Sequence, residues 1–161
     1  MLFRKKQDVD DYCTASLKVL FSADREKLWD QLRLACSDPA LSEAVKRDYF
    51  DHIRAVMIEL VLIAITKNSS MEVGFDAHVF VEAYCRDHGF SHIDEIRRTY
   101  SQAFGFPGQD GVASMVASFS RQLADGQLRK ETTERHYVEF YAVLGCLLDE
   151  FKSIKLTTKR G

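Results

Sequence analysis

Apolar residues recur along most of this chain at the three- and four-residue spacing of α-helices, and strict alternation of apolar and polar residues is almost absent. The longest such pattern follows Asp38-Pro39, which favours a helix start because Asp accepts hydrogen bonds from first-turn amides and Pro loses none there. The pattern predicts one helix over residues 39–67, with the apolar positions Leu41, Val45, Tyr49, Ile53, Val56, Leu60 and Ala64. Its second half is apolar on nearly every side, which indicates a central place in a bundle.

Shorter helical patterns lie on both sides of this long one. Two precede it: the first begins after Asp8, and the second carries Leu28, Leu32 and Ala35. Four follow it, and their expected buried stripes are Phe75, Val79, Phe80, Ala83 and Tyr84; Ile93, Ile96, Tyr100 and Phe104; Val112, Met115, Val116, Phe119 and Leu123; and Tyr137, Phe140, Tyr141, Leu144, Leu148 and Phe151. The sequence therefore predicts an all-α fold, a single-domain bundle of six to seven helices over residues 1–161.

A short glycine-containing turn, residues 88–92, joins two of these helices. Ser91 is expected to begin the second of them, with Asp94 as its capping-box partner. The same arrangement occurs in helix-turn-helix DNA readers, but Asp94 and Glu95 would then face phosphates at the start of the recognition helix. An ordinary helical hairpin fits better, and nucleic-acid binding is not expected from this turn.

Charge is unevenly distributed along the chain. The formal net charge is −2, which argues against a protein made mainly to coat phosphate backbones. Residues 1–6 and 152–161 contain basic residues and no acidic ones, while 15 basic and 24 acidic residues lie between them. We expect short, frayed, solubilising termini at residues 1–7 and 153–161. The alternative is weak contact of the N-terminus, through Met1, Leu2 and Phe3, with an anionic membrane surface.

Cysteine spacing and hydropathy bear on the compartment. Cys13, Cys36, Cys85 and Cys146 lie far apart without a CxxC pair, which indicates buried free thiols in a reducing environment. The longest apolar stretch, Ala55–Ile65, is shorter than the about 20 residues that span a bilayer. Polar residues follow the basic N-terminus where a signal peptide would be apolar. We therefore predict a cytoplasmic protein without a transmembrane segment.

Glu59 is the most unusual residue of the long helix. Its neighbours on the same face are all apolar, so a carboxylate there must be paired, protonated, bound to a metal or exposed. His52 and Thr66 extend a narrow polar stripe along the helix. We expect either a structural pair between Glu59 and an Arg or Tyr of another helix, or a strip open to solvent.

Two further pairs would suit a metal ion. His78 and Glu82 stand four residues apart, and His136 and Glu139 three apart, so each pair shares a helical face. With Glu59 they supply five oxygen and nitrogen ligands on three helices. The di-iron carboxylate pattern is nevertheless incomplete, because it needs Glu-x-x-His on two helices and a further Glu on each of two others. No cofactor is predicted, and a metal ion at these residues remains the alternative.

The last apolar stripe is close to a heptad pattern and predicts an interaction surface, formed by Tyr137, Phe140, Tyr141, Leu144, Leu148 and Phe151. The glycine-rich stretch at residues 105–111 lacks the order of a nucleotide-binding loop, and the sequence has no GxSxG nucleophile motif. We predict an interaction or regulatory module without catalytic activity that binds a protein partner or itself. The alternatives are a bundle that binds a metal or a small apolar ligand, with a possible enzymatic activity, and weak binding of nucleic acid or an anionic surface.

Overall fold

A computed structural model describes residues 4–22, 27, 37–41, 43–105 and 110–159. Within these ranges the chain forms six helices and a two-stranded sheet. They are, in chain order, β1 (Lys5–Asp8), α1 (Val9–Ser22), α2 (Glu43–Asn68), α3 (Met71–Asp87), α4 (Ser91–Phe104), α5 (Gly111–Ala124), α6 (Lys130–Glu150) and β2 (Ile154–Thr157). The predicted all-α bundle is confirmed. The predicted helix around Leu28, Leu32 and Ala35 lies outside the described residues.

The long helix α2 occupies the centre of the bundle and contacts the other five helices. Of its predicted stripe, Tyr49, Val56, Leu60 and Ala64 are fully buried. At 1.5 Å per residue it is about 39 Å long. The prediction that it begins at Pro39 is wrong, because α2 begins at Glu43.

Asp38 has a different role from the predicted one, which was to cap a helix beginning at Pro39. Its Oδ1 atom accepts a hydrogen bond from the Ala40 amide at 3.0 Å, which forms a local turn. Its Oδ2 atom accepts one from the Arg129 amide at 2.9 Å, just before α6. The buried carboxylate therefore ties the turn before α2 to the start of α6 instead of capping a helix that begins at Pro39.

Other helix ends follow capping chemistry. Asp8, Ser70 and Asp110 each accept hydrogen bonds from first-turn amides, of α1, α3 and α5 respectively. Gly89 follows α3 with a φ of 77°, the left-handed conformation that glycine adopts without strain. The predicted capping role of Asp94 is wrong, because Phe90 precedes α4 without any side-chain cap.

The predicted apolar stripe of α3 is partly wrong. Phe75 is 68% exposed and Val79 is also exposed, while the buried face carries Val73, Gly74, Ala77, Val81 and Cys85. Gly74 lies where α3 packs against α2, and a side chain there would lie 3.4 Å from the Thr66 hydroxyl oxygen of α2. The side of α3 that carries Gly74 therefore faces α2, and Phe75 lies on the exposed side.

The predicted frayed termini are wrong for residues 5–7 and 154–157, because residues 5–8 pair with residues 154–157 as parallel strands. Lys5 is opposite Ile154 and Asp8 is opposite Thr157. The Lys5 amide also donates a hydrogen bond to the Ser153 carbonyl at 2.9 Å. Leu156 of β2 is buried, so the small sheet is packed against the bundle.

The thiols follow the prediction in part. Cys13 and Cys85 are free and buried, but Cys146 is exposed on α6, and Cys36 lies outside the described residues. Burial raises the pKa of the Cys85 thiol to about 11, with the Asp94 carboxylate adding to the shift. None of the described helices combines the length and the hydropathy that crossing a bilayer requires.

Candidate functional site

Glu59 has the partner on another helix that the sequence led us to expect. The Arg97 guanidinium of α4 donates a hydrogen bond to its Oε2 atom at 2.8 Å, and both side chains are buried. Arg97 also donates to Asp94 at 2.8 Å. Asp94 is bound in turn by Arg98, which reaches Glu82 of α3 at 3.3 Å near the surface. A chain of alternating charges thus runs from the core to solvent.

Burial and charge act in opposite directions on this buried pair. Burial raises the pKa of the Glu59 carboxyl, and the Arg97 guanidinium opposes the shift. Burial acts to lower the pKa of Arg97, but its hydrogen bonds and the charges of Asp94 and Glu59 outweigh burial and raise it. Since Arg97 stays protonated 2.8 Å from Glu59, we interpret the contact as a structural ion pair.

Two buried histidine–tyrosine pairs lie in the core beside Phe119 of α5. The Tyr49 hydroxyl is 2.7 Å from Nε2 of His136, and the Tyr100 hydroxyl is 2.6 Å from Nδ1 of His52. All four rings lie within 6.3 Å of the Phe119 ring, measured between centroids. Burial lowers the pKa of both histidines, so they are neutral at pH 7.

The five metal candidates do not converge on one point. Glu59 binds Arg97, Glu82 contacts Arg98, His136 binds Tyr49, and Glu139 binds Arg135 at 2.7 Å. His78 directs Nδ1 to the Gly74 carbonyl at 2.8 Å, although it lies close enough to Glu59 to affect its pKa. Within the described ranges no three His, Cys, Asp or Glu side chains are arranged to hold a metal ion.

The predicted interaction surface on α6 divides between core and solvent. Phe140, Leu144 and Phe151 are buried in the core, so the prediction that they form a surface is wrong. Tyr137 is half-buried and donates a hydrogen bond to Asp110 at 2.7 Å. Leu148 is also half-buried, and Tyr141 is 56% exposed.

The exposed side of α6 is displaced from the predicted one. Its central part carries only small or apolar residues, at helical spacing: Val138, Tyr141, Ala142, Gly145 and Cys146. Val138 is 61% exposed, and a side chain at Gly145 would meet nothing within 4 Å. We call these five residues the outer face of α6. A flat face of small and apolar groups is the kind of surface against which a second helix can pack closely.

A groove of about 470 Å³ between α5 and α6 adjoins this face. Ala113, Val116 and Ala117 line it on α5, and Thr133, Glu134, Tyr137 and Val138 line it on α6. Val138 therefore belongs both to the groove and to the outer face. Sequence reasoning missed this surface, because Val138 and the small residues near it fall outside the heptad stripe.

A second exposed apolar strip lies on α3, formed by Met71, Phe75 and Val79. It lies on a different helix from the outer face of α6. It is therefore a useful reference surface for experiments on α6.

No protein-family model, no curated protein and no solved structure matches this chain. Its function is therefore inferred from the geometry of its own residues.

Proposed function

We propose that this chain is a cytoplasmic interaction module without catalytic activity, which associates with a second copy of itself through the outer face of α6. The observation that supports the proposal is the exposure of Val138 and Tyr141 beside three small residues on one helical face. Exposed apolar patches on proteins outside membranes are typical of protein-interaction sites.

The pattern of side chains on α6 favours two antiparallel copies of this helix. Its apolar part extends from Val138 to Cys146, so its midpoint is Ala142. A two-fold axis near Ala142 buries the whole apolar part, with Cys146 of each copy opposite Val138 of the other. Charged residues flank the apolar part, with Glu134 before it and Asp149 after it. An apolar centre with a polar rim is the usual anatomy of a protein interface.

Sedimentation over a range of concentrations tests the proposal, with Val138→Glu as the disrupting variant. Val138 is largely exposed, so the substitution should leave the fold intact, which circular dichroism checks. A charge at an apolar interface costs roughly 1.4 kcal/mol, or tenfold in affinity. Because the two-fold axis places the substitution in the interface twice, we expect dimerisation to weaken about 100-fold.

Phe75→Glu is the matched control, because it places the same charge on the exposed apolar strip of α3. It should leave the association of α6 unchanged. A wild-type chain that stays monomeric at high concentration would contradict the proposal. Equal weakening of association by Val138→Glu and Phe75→Glu would also contradict it, because the association would then not be specific to α6.

A cross-linking experiment tests the antiparallel geometry. Val138→Cys should form an intermolecular disulfide with Cys146 on mild oxidation, because the two positions face each other in the proposed dimer. Val79→Cys is the control, an exposed position on α3. Cross-linking of the two variants to the same extent would exclude the proposed pairing.

A further inference from the structure

A second groove, of about 430 Å³, lies between α1, α2 and α6 on a different side of α6 from its outer face. We call it the α1–α6 groove. Its lining includes five large apolar side chains that are each only half-buried: Leu20, Met57, Val61, Val143 and Leu147. They pack against the core on one side and leave the other side uncovered. Both the volume and the apolar lining are in the range typical of small-molecule sites.

Polar groups lie in the same lining where β1 leads into α1. The Tyr12 hydroxyl donates a hydrogen bond to Oε2 of Glu150 at 3.1 Å, and both residues line the groove. Burial raises the pKa of Tyr12, and the Glu150 charge adds to the shift, so the phenol remains protonated. Glu150 is exposed, and within the described ranges it forms no salt bridge with a basic residue.

The charge at this end of the groove favours a cation. Two basic side chains of the C-terminal segment are engaged by other carboxylates, since Lys152 contacts Asp149 at 2.6 Å and Lys159 contacts Asp10 at 3.5 Å. Glu150 is also the last residue of α6, and the C-terminal end of a helix dipole attracts positive charge. An anionic head group would meet both the carboxylate and the negative end of the dipole.

We propose that the α1–α6 groove binds a long-chain amine, with its ammonium group on Glu150 and its hydrocarbon chain along the half-buried apolar lining. Covering the exposed sides of those residues supplies the hydrophobic part of the affinity. The ammonium group replaces water on a carboxylate that the Tyr12 hydroxyl holds in position. The site does not depend on the proposed self-association, because it uses a different side of α6.

Calorimetric titration with three probes of equal chain length tests the proposal: decylamine and decanoate, each below its micelle concentration, and decanol, below its solubility limit. We expect decylamine to bind at least about threefold more tightly than decanol, in keeping with an exposed ion pair, and decanoate to bind most weakly. Glu150→Gln should abolish the preference for the amine while decanol still binds. Glu134→Gln, which removes an exposed carboxylate elsewhere on α6, should leave the preference intact.

Ala15→Phe is the blocking variant, because Ala15 is an exposed lining residue on which a larger side chain fills the groove without entering the core. It should prevent binding of all three probes, and Val143→Phe, from the opposite wall, should do the same. Failure of decylamine to bind the wild type would overturn the proposal, as would tighter binding of decanoate than of decylamine. A change in oligomeric state on Ala15→Phe, with amine binding intact, would assign the groove to a second copy and also overturn it.

Discussion

Substituting Arg97 by Met tests how the buried Glu59 carboxylate is compensated in the core. In the wild type one guanidinium binds two carboxylates, Glu59 and Asp94, each at 2.8 Å, and all three side chains are nearly inaccessible to solvent. After the substitution Asp94 keeps Arg98, but Glu59 loses its cation. Removing one partner of a buried ion pair costs about 3–5 kcal/mol.

That cost is a large part of the stability of a domain, which is typically about 5–15 kcal/mol. Urea unfolding at pH 7 measures it directly. The double variant Glu59→Gln/Arg97→Met should recover at least about half of the loss, because a neutral amide replaces the isolated charge. Arg98→Met is the matched control: its side chain is 54% exposed, so we expect a loss of no more than about 1 kcal/mol.

The pH dependence of the Arg97→Met variant follows from the same carboxylate. Burial raises the pKa of Glu59, and in the variant no guanidinium opposes the shift. A carboxyl whose pKa is higher in the folded protein than its unfolded value of 4.5 stabilises the folded state. This contribution is complete below pH 4.5 and is lost as the pH rises through the folded-state pKa. The deficit relative to the wild type should therefore shrink as the pH is lowered from 7 toward 4.5. A loss below about 1 kcal/mol, or a deficit independent of pH, would refute the reasoning.

Three further predictions concern other parts of the core and surface. Burial lowers the pKa of His52 and His136, so protons bind these residues more readily in the unfolded chain than in the folded one. Thermal stability should therefore fall as the pH drops below about 6.5. A His52→Gln/His136→Gln variant whose thermal stability falls equally steeply with pH would contradict this. Gly145→Ala should raise the free energy of unfolding by about 0.5–1 kcal/mol, because alanine favours the helix more than glycine does and its side chain would meet no other atom. A lower free energy of unfolding, measured in dilute solution, would contradict this. Asp38→Asn should cost about 1–2 kcal/mol by weakening the hydrogen bond from the Arg129 amide, and an unchanged denaturation midpoint would show that this link contributes little.

The features that the sequence predicted well are those that depend on local periodicity. The stripe of α5, including Met115 and Phe119, is buried as expected, because a 3.6-residue pattern states directly which side of a helix is apolar. The central place of α2 follows in the same way from its apolar second half. The partner of Glu59 was predictable in kind, since an isolated buried carboxylate is too costly to leave uncompensated.

Features set by contacts between distant residues were not predictable in this way. The exposure of Phe75 reflects which side of α3 packs against α2, the side on which Gly74 approaches Thr66. The two histidine–tyrosine pairs join residues that are 48 and 87 positions apart, so no spacing within one helix indicates them. Strands of four residues are too short for alternation to distinguish them from a tail.

The parallel pairing of β1 and β2 has a mechanical consequence. Because the strands run in the same direction, the first residue of β1, Lys5, and the last residue of β2, Thr157, lie at opposite ends of the ladder. A force that pulls these two residues apart acts along the strand axis and loads all the ladder hydrogen bonds together, rather than opening them one after another. The small sheet therefore acts as a shear clamp that protects the helices from tension applied at the two ends of the bundle.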